Sequence, residues 1–228
     1  MLGPVTVETP AGSSDGTLFA PRDRVVLSVL AMRRGEIVPA EVLADALWGD
    51  QPPTTWPKVV QGCMVRLRRI LGPGAIRTQE HGYVLALSPQ EVDSHRFERL
   101  LERARQLLAL GEPDRAAYTA REALKLWRGA PLTELEDWEP ARAEAQRLEE
   151  LRRDAEDLEV EACLAAGRFR EVLQVARGRV ATAPLRETRW GHLARAQYQA
   201  GRQADALRTL RQAGEVLRNE LGLPPVDL

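Results

Sequence analysis

In the stretch Trp56 to Leu71, wound at about 100° per residue, Lys58, Gln61, Gly62, Val65 and Arg69 share one face, and Val60, Met64, Leu67 and Leu71 share the opposite one. The first face has the chemistry of nucleic-acid recognition. Arg69 and Lys58 suit guanine edges or phosphates, Gln61 suits adenine, and Val65 suits the thymine methyl group. Arg66 and Arg68 lie on the flanks, where phosphate contact is expected. Gly62 at mid-helix costs about 1 kcal/mol relative to Ala, and lets a backbone or base edge come close. Arg77, Gln79 and His81 follow in the next segment and extend the same set toward the DNA backbone.

The plain alternative is an amphipathic surface helix with solvated arginines. Charge layout argues against it. The whole chain of 228 residues carries a net charge of −1, yet residues 51 to 79 contain Lys58, Arg66, Arg68, Arg69 and Arg77 with no acidic residue. Residues 1 to 90 hold nine basic and eight acidic residues, a balance of +1, and residues 91 to 228 hold 23 and 25, a balance of −2. The positive charge is therefore local, which fits a docking face better than a generally basic protein.

Other chemistries lack their residues. His81, His95 and His192 are scattered and pair with neither cysteine at metal-ligand spacing, so no metal site is expected. Cys63 and Cys163 lie far apart, which speaks against a disulfide framework and for a reducing, cytoplasmic setting. No Walker-type loop, nucleophile elbow, signal peptide or membrane-length apolar run occurs, so neither an enzyme, a cofactor protein nor a membrane partner is expected.

The elements that must position the recognition face are legible around it. Leu2 to Glu8 and Gly16 to Phe19 read as two short strands flanking a loop over Pro10 to Gly16. Pro21 opens an apolar helix that closes at Gly35, Ile37 and Val38 form an extended link, and Pro39 to Leu47 form a second helix ending at Trp48-Gly49. Pro52-Pro53 forces a loop, Thr54 or Thr55 can cap the third helix, and Gly72-Pro73-Gly74 ends it. Trp48 and Trp56 bracket that loop and are expected to pack it. Two alternating runs, Ile76 to Gln79 and Tyr83 to Leu87, then make a hairpin around Glu80-His81-Gly82. Strands, three helices and a terminal hairpin describe a winged helix-turn-helix domain, α+β in class, over residues 1–90.

Beyond it the strand signals stop. Segments 93–110, 113–128, 139–166, 169–183, 186–200 and 203–221 are helix-like. Ala166-Gly167-Arg168 recurs as Ala200-Gly201-Arg202, a displacement of 34 residues that is the tetratricopeptide period. Leu110-Gly111-Glu112-Pro113 reads as an earlier turn of the same kind, out of phase. Trp127, Trp138, Trp190 and Tyr198 are expected in the core of these repeats. Residues 91–228 are thus an all-α, tetratricopeptide-like domain, and the protein is mainly α.

Several motifs, in order, resemble one family. Leu2-Gly-Pro-Val, Pro21-Arg-Asp-Arg, Leu43-Ala-Asp-Ala-Leu-Trp-Gly, the Pro52-Pro53 loop, Val65-Arg-Leu-Arg-Arg-Ile-Leu-Gly and His81-Gly-Tyr-Val-Leu resemble the OmpR-type winged-helix domain of the Streptomyces antibiotic regulatory protein (SARP) family. Val92-Asp93-Ser94 before Phe97, Ala123-Leu-Lys-Leu-Trp-Arg-Gly129 and Glu220-Leu-Gly-Leu-Pro224 resemble the bacterial transcriptional activation domain that follows it. The resemblance implies a transcriptional activator that binds direct repeats in double-stranded promoter DNA as a head-to-tail homodimer and recruits RNA polymerase. It places the recognition helix at Trp56 to Leu71 and the wing at Ile76 to Leu87. Trp56, Pro57, Lys58, Gly62 and Val65 depart from the family's usual residues, so the target sequence does not transfer. The first strand looks short, and Leu221-Gly222-Leu223-Pro224-Pro225 resembles the start of a final helix, so the chain is expected to be part of a longer regulator. The rival expectation is a tetratricopeptide-type adaptor whose winged helix binds protein rather than DNA.

Overall fold

Proline and glycine punctuation sets the order of elements in the computed structural model, which describes residues 1–9, 12–14, 19–33 and 35–222. The order is β1 (Val7–Thr9), β2 (Gly12–Ser14), α1 (Pro21–Met32), α2 (Ala40–Trp48), α3 (Trp56–Leu71), β3 (Ile76–Gln79) and β4 (Gly82–Leu85). There follow α4 (Asp93–Ala109), α5 (Pro113–Leu124), a single 3₁₀ turn at Thr133–Leu135, α6 (Glu139–Ala165), α7 (Phe169–Thr182), α8 (Glu187–Gln199) and α9 (Gln203–Leu221). The chain divides into two compact units, one of Met1–Phe97 with Leu126–Glu150, the other of Glu98–Lys125 with Leu151–Leu228.

In the first unit, α1, α2 and α3 bury Val26, Val29, Leu30, Leu43, Met64 and Leu67 against one another. β3 and β4 pair antiparallel from Ile76↔Leu85 to Gln79↔Gly82, leaving Glu80-His81 as a two-residue turn. The Ile37-Val38 link joins this hairpin: Val38 N donates to Tyr83 O at 2.8 Å and Tyr83 N donates to Val38 O at 2.9 Å. Gly82 makes that rung possible, because a Cβ there would lie 2.1 Å from Val38 O. Helix-turn-helix and wing are thereby one hydrogen-bonded body.

The amino-terminal expectation needs correction. Strand geometry begins only at Val7, and β2 lies at Gly12–Ser14, inside the stretch expected as a loop. The expected strand at Gly16 to Phe19 falls, for residues 16–18, outside the described residues, as do Leu223 and Pro224. Residues 1–5 instead bond to a distant segment, with Arg128 N donating to Leu2 O at 2.7 Å and Leu132 N to Met1 O at 2.9 Å. Arg128 also donates to Asp93 Oδ2 at 2.7 Å. Phe97 meets Trp127 edge to face with ring centroids 5.4 Å apart. That is why α5 ends at Leu124 rather than 128: Trp127 and Arg128 are drawn into the first unit. Trp138 goes there too, donating its indole N–H to Asp45 Oδ2 at 2.7 Å. Neither tryptophan serves the repeat core.

The second unit holds the repeats. Gly111, Gly167 and Gly201 each adopt a left-handed φ, +74°, +75° and +79°, where glycine avoids the Cβ clash. After each, a backbone N–H reaches back five residues: Glu112 to Leu107 O at 2.9 Å, Arg168 to Cys163 O at 2.9 Å, Arg202 to Gln197 O at 2.8 Å. The three turns share one helix-ending geometry. Trp190 is buried as expected, donating to Pro184 O at 2.8 Å. Tyr198 is 58% exposed, because it sits one residue past the inward position held by buried Gln197.

Candidate nucleic-acid interface

α3 spans Trp56–Leu71, the bounds read from its sequence. Pro57 sits in its first turn, where a missing N–H costs no helical hydrogen bond. Thr55 occupies the N-cap position but makes no side-chain cap bond. Trp56 is half-buried, and Trp48 receives the Arg22 guanidinium over its ring at 5.5 Å.

The inward stripe is Val60, Cys63, Met64 and Leu67, with Leu71 only half-buried at the helix end. On the outward side Lys58, Gln61, Val65 and Arg69 are exposed. None makes a side-chain hydrogen bond or ion pair among the described residues. Val65 is 57% exposed, an apolar side chain held in water between Gln61 and Arg69. In the wing, Arg77, Gln79 and His81 are exposed, and His81 Nε2 lies 4.0 Å from the Glu80 carboxylate. The helix carries no acidic residue, so nothing on its outward face neutralises these cations.

The flanking arginines have other partners. Arg66 donates from Nε to Asp23 Oδ2 at 2.8 Å and from Nη2 to Asp23 Oδ1 at 2.7 Å, a bidentate pair with a buried carboxylate in the first turn of α1. That hydrogen bonding raises the guanidinium pKa further above its already high value. Nη2 also approaches Cys63 Sγ at 3.3 Å. Burial pushes the Cys63 thiol up to about 12, with Asp23 adding to the shift, so the thiol stays protonated at neutral pH. Arg68 donates to Ile76 O at 2.9 Å and Thr78 Oγ1 at 2.7 Å, tying α3 to β3. Both residues were expected at phosphates. In this structure their guanidinium groups are turned to protein acceptors, and these hydrogen bonds offset the rotamer entropy lost in ordering the two side chains. Gly62 has a related geometry: a Cβ there would stand 3.3 Å from Arg66 Nη1.

Asp23 is the residue missed by sequence reasoning. Its signal was a lone acid between Arg22 and Arg24 in the first turn of α1, and its partner lies 43 residues away. Among the described residues no group of three or more His, Cys, Asp or Glu could hold a metal ion, and no helix is long and apolar enough to cross a membrane.

Known families match the chain in two consecutive stretches. The bacterial transcriptional activator domain matches residues 92–227, and the carboxy-terminal domain of transcriptional regulatory proteins matches residues 16–85. Regulatory protein DnrI of Streptomyces peucetius is 33% identical over 236 residues, covering 99% of this chain and 86% of that protein. Transcriptional regulator RedD of Streptomyces coelicolor is 34% identical over 234 residues, covering 99% of this chain and 66% of that one. Among solved structures, Mycobacterium tuberculosis EmbR in complex with a low-affinity phosphopeptide superposes with a TM-score of 0.91 at 27% identity, over 100% of this chain and 61% of that chain.

Proposed function

This chain belongs to the SARP family of transcriptional regulators, and from that membership we propose that it is a sequence-specific DNA-binding activator that occupies direct repeats in promoters as a head-to-tail homodimer and recruits RNA polymerase. The observation that carries the DNA reading is the stripe Lys58, Gln61, Val65 and Arg69, exposed, unpaired and free of acid on one helix face. In the major groove such a stripe presents a bidentate donor, an amide and a methyl-sized apolar group to successive base edges. The wing, with Arg77, Gln79 and His81, lies against the neighbouring phosphate backbone.

Arg66 and Arg68 act differently in this reading. They hold α3 to α1 and to β3, and so set the angle at which the outward residues meet the groove. The test is a gel-shift titration on a genomic promoter pool across salt. Phosphate-driven binding weakens with a log–log slope of about −0.9 per contact. Absence of any retarded species at low salt would overturn the DNA reading in favour of a protein-binding adaptor.

A further inference from the structure

A cleft of about 540 Å³ opens between α7, α8 and α9, entirely within the second unit. Its floor is apolar, built from Trp190 and Leu193 with Val180 and Val216 beside them. The Trp190 indole N–H is already taken by Pro184 O at 2.8 Å, so the ring offers only apolar surface. Gln197 is the exception in that wall. It is 4% exposed, and its side chain makes one hydrogen bond, Oε1 accepting from Thr209 Oγ1 at 2.8 Å. Gln197 lines the cleft, and the other end of its amide has no protein partner among the described residues and is not a buried unpaired atom. Turning the amide over exchanges its ends and still leaves one unpaired. Water can meet that end in the free protein, and a main-chain group of a ligand can take the water's place.

Charge on the rim completes the pattern. Arg177 is exposed and makes no ion pair among the described residues. Opposite it Arg208 pairs with Asp205, a carboxylate that Arg202 also reaches at 3.3 Å. The rim therefore has an uncommitted positive charge above an apolar floor.

We propose that this cleft holds an extended stretch of a partner polypeptide in which an acidic residue adjoins an apolar one. The apolar side chain sits on Trp190 and Leu193, a main-chain group pairs with the free end of the Gln197 amide, and the carboxylate meets Arg177. An extended chain suits an open trough across three helices, since it presents main-chain polar groups about every 3.4 Å. The inference is independent of the DNA reading, whose residues all lie in the first unit.

The test uses the full chain and two labelled octapeptides, one with Asp-Leu-Asp at its centre and one with Arg-Leu-Arg, both otherwise Ser and Gly, followed by fluorescence anisotropy. The acidic peptide binds at least about ten-fold tighter than the basic one. Gln197→Leu and Arg177→Glu each weaken it at least about five-fold, while promoter binding in the gel shift is unchanged. Arg177 is on the surface, so its variant keeps the fold even if Gln197→Leu does not. Equal binding of the two peptides, or acidic-peptide binding untouched by Arg177→Glu, would overturn the proposal. So would N-acetyl-leucine binding the cleft as tightly as the acidic peptide, which would make the occupant a small carboxylic acid.

Discussion

Arg66 closes on Asp23 through two hydrogen bonds of 2.8 and 2.7 Å, joining the outward side of α3 to the first turn of α1. The carboxylate is almost fully buried, whereas the arginine side chain is 45% exposed. Removing the arginine therefore strands a charge that water cannot reach. Breaking a buried pair costs about 3–5 kcal/mol, and partial exposure of the arginine sets the expectation for Arg66→Met at the low end, about 3 kcal/mol, in urea unfolding. Adding Asp23→Leu recovers much of the loss, because the stranded charge is gone. An unchanged midpoint in Arg66→Met would show that the pair does not hold α3.

Two arginines a single residue apart should fail in different ways. Arg69 is free on the outward face, so Arg69→Ala should cost about 1–3 kcal/mol of operator affinity if it reads a base, with a changed sequence preference in a binding-site selection. Arg68 is spent on Ile76 O and Thr78 Oγ1. Arg68→Ala should weaken all sequences alike by about 1 kcal/mol, the worth of a typical net hydrogen bond, through a loosened wing. A uniform loss in Arg69→Ala would reassign that residue to a phosphate.

Local signals in the sequence were enough for much of this architecture. Val60, Met64 and Leu67 repeat at helical spacing, and Gly167 and Gly201 end helices with the same left-handed φ, so α3 and the repeats could be read from neighbours in the chain. Pairings across long sequence separations were not legible. Nothing near Asp23 points to Arg66, nothing near Leu2 points to Arg128, and Trp138 gives no local sign that Asp45 will accept its N–H. The outward stripe was visible because periodicity alone separates it from the core. The inward turn of Arg66 and Arg68 was not, because a flank position fits either a phosphate or a protein partner.

Cys63 offers a test by pH. Its folded pKa is raised to about 12 from an ordinary value of 9.0, so above pH 9 the unfolded chain releases a proton that the folded chain keeps. The stabilisation is complete below pH 9 and is lost as pH rises toward 12, by up to about 1.4 kcal/mol per pH unit. Wild type should therefore lose stability relative to Cys63→Ala between pH 9 and 12, read as the difference in urea midpoints. A constant difference across that window would place the thiol in a far wetter environment.

Arg189 carries the strongest prediction for the second unit. It is 2% exposed and donates to Asp157 Oδ1 at 2.8 Å and Glu156 Oε2 at 2.9 Å on α6, and to Arg179 O at 2.9 Å and Thr182 Oγ1 at 3.0 Å on α7. One guanidinium on α8 thus satisfies groups from two other helices. Arg189→Met keeps the apolar stem but leaves both carboxylates short of a donor. Arg186 still reaches Asp157 at 3.1 Å and Arg179 still pairs with Glu156, so the loss should fall at the lower end of the 3–5 kcal/mol range, about 3 kcal/mol. Arg189→Lys should rescue little of it, since a single ammonium cannot span the fork that reaches four acceptors. The check is thermal unfolding of the three proteins alongside the promoter gel shift. A full rescue by lysine would show that charge alone, rather than the geometry of the guanidinium, holds α6, α7 and α8 together.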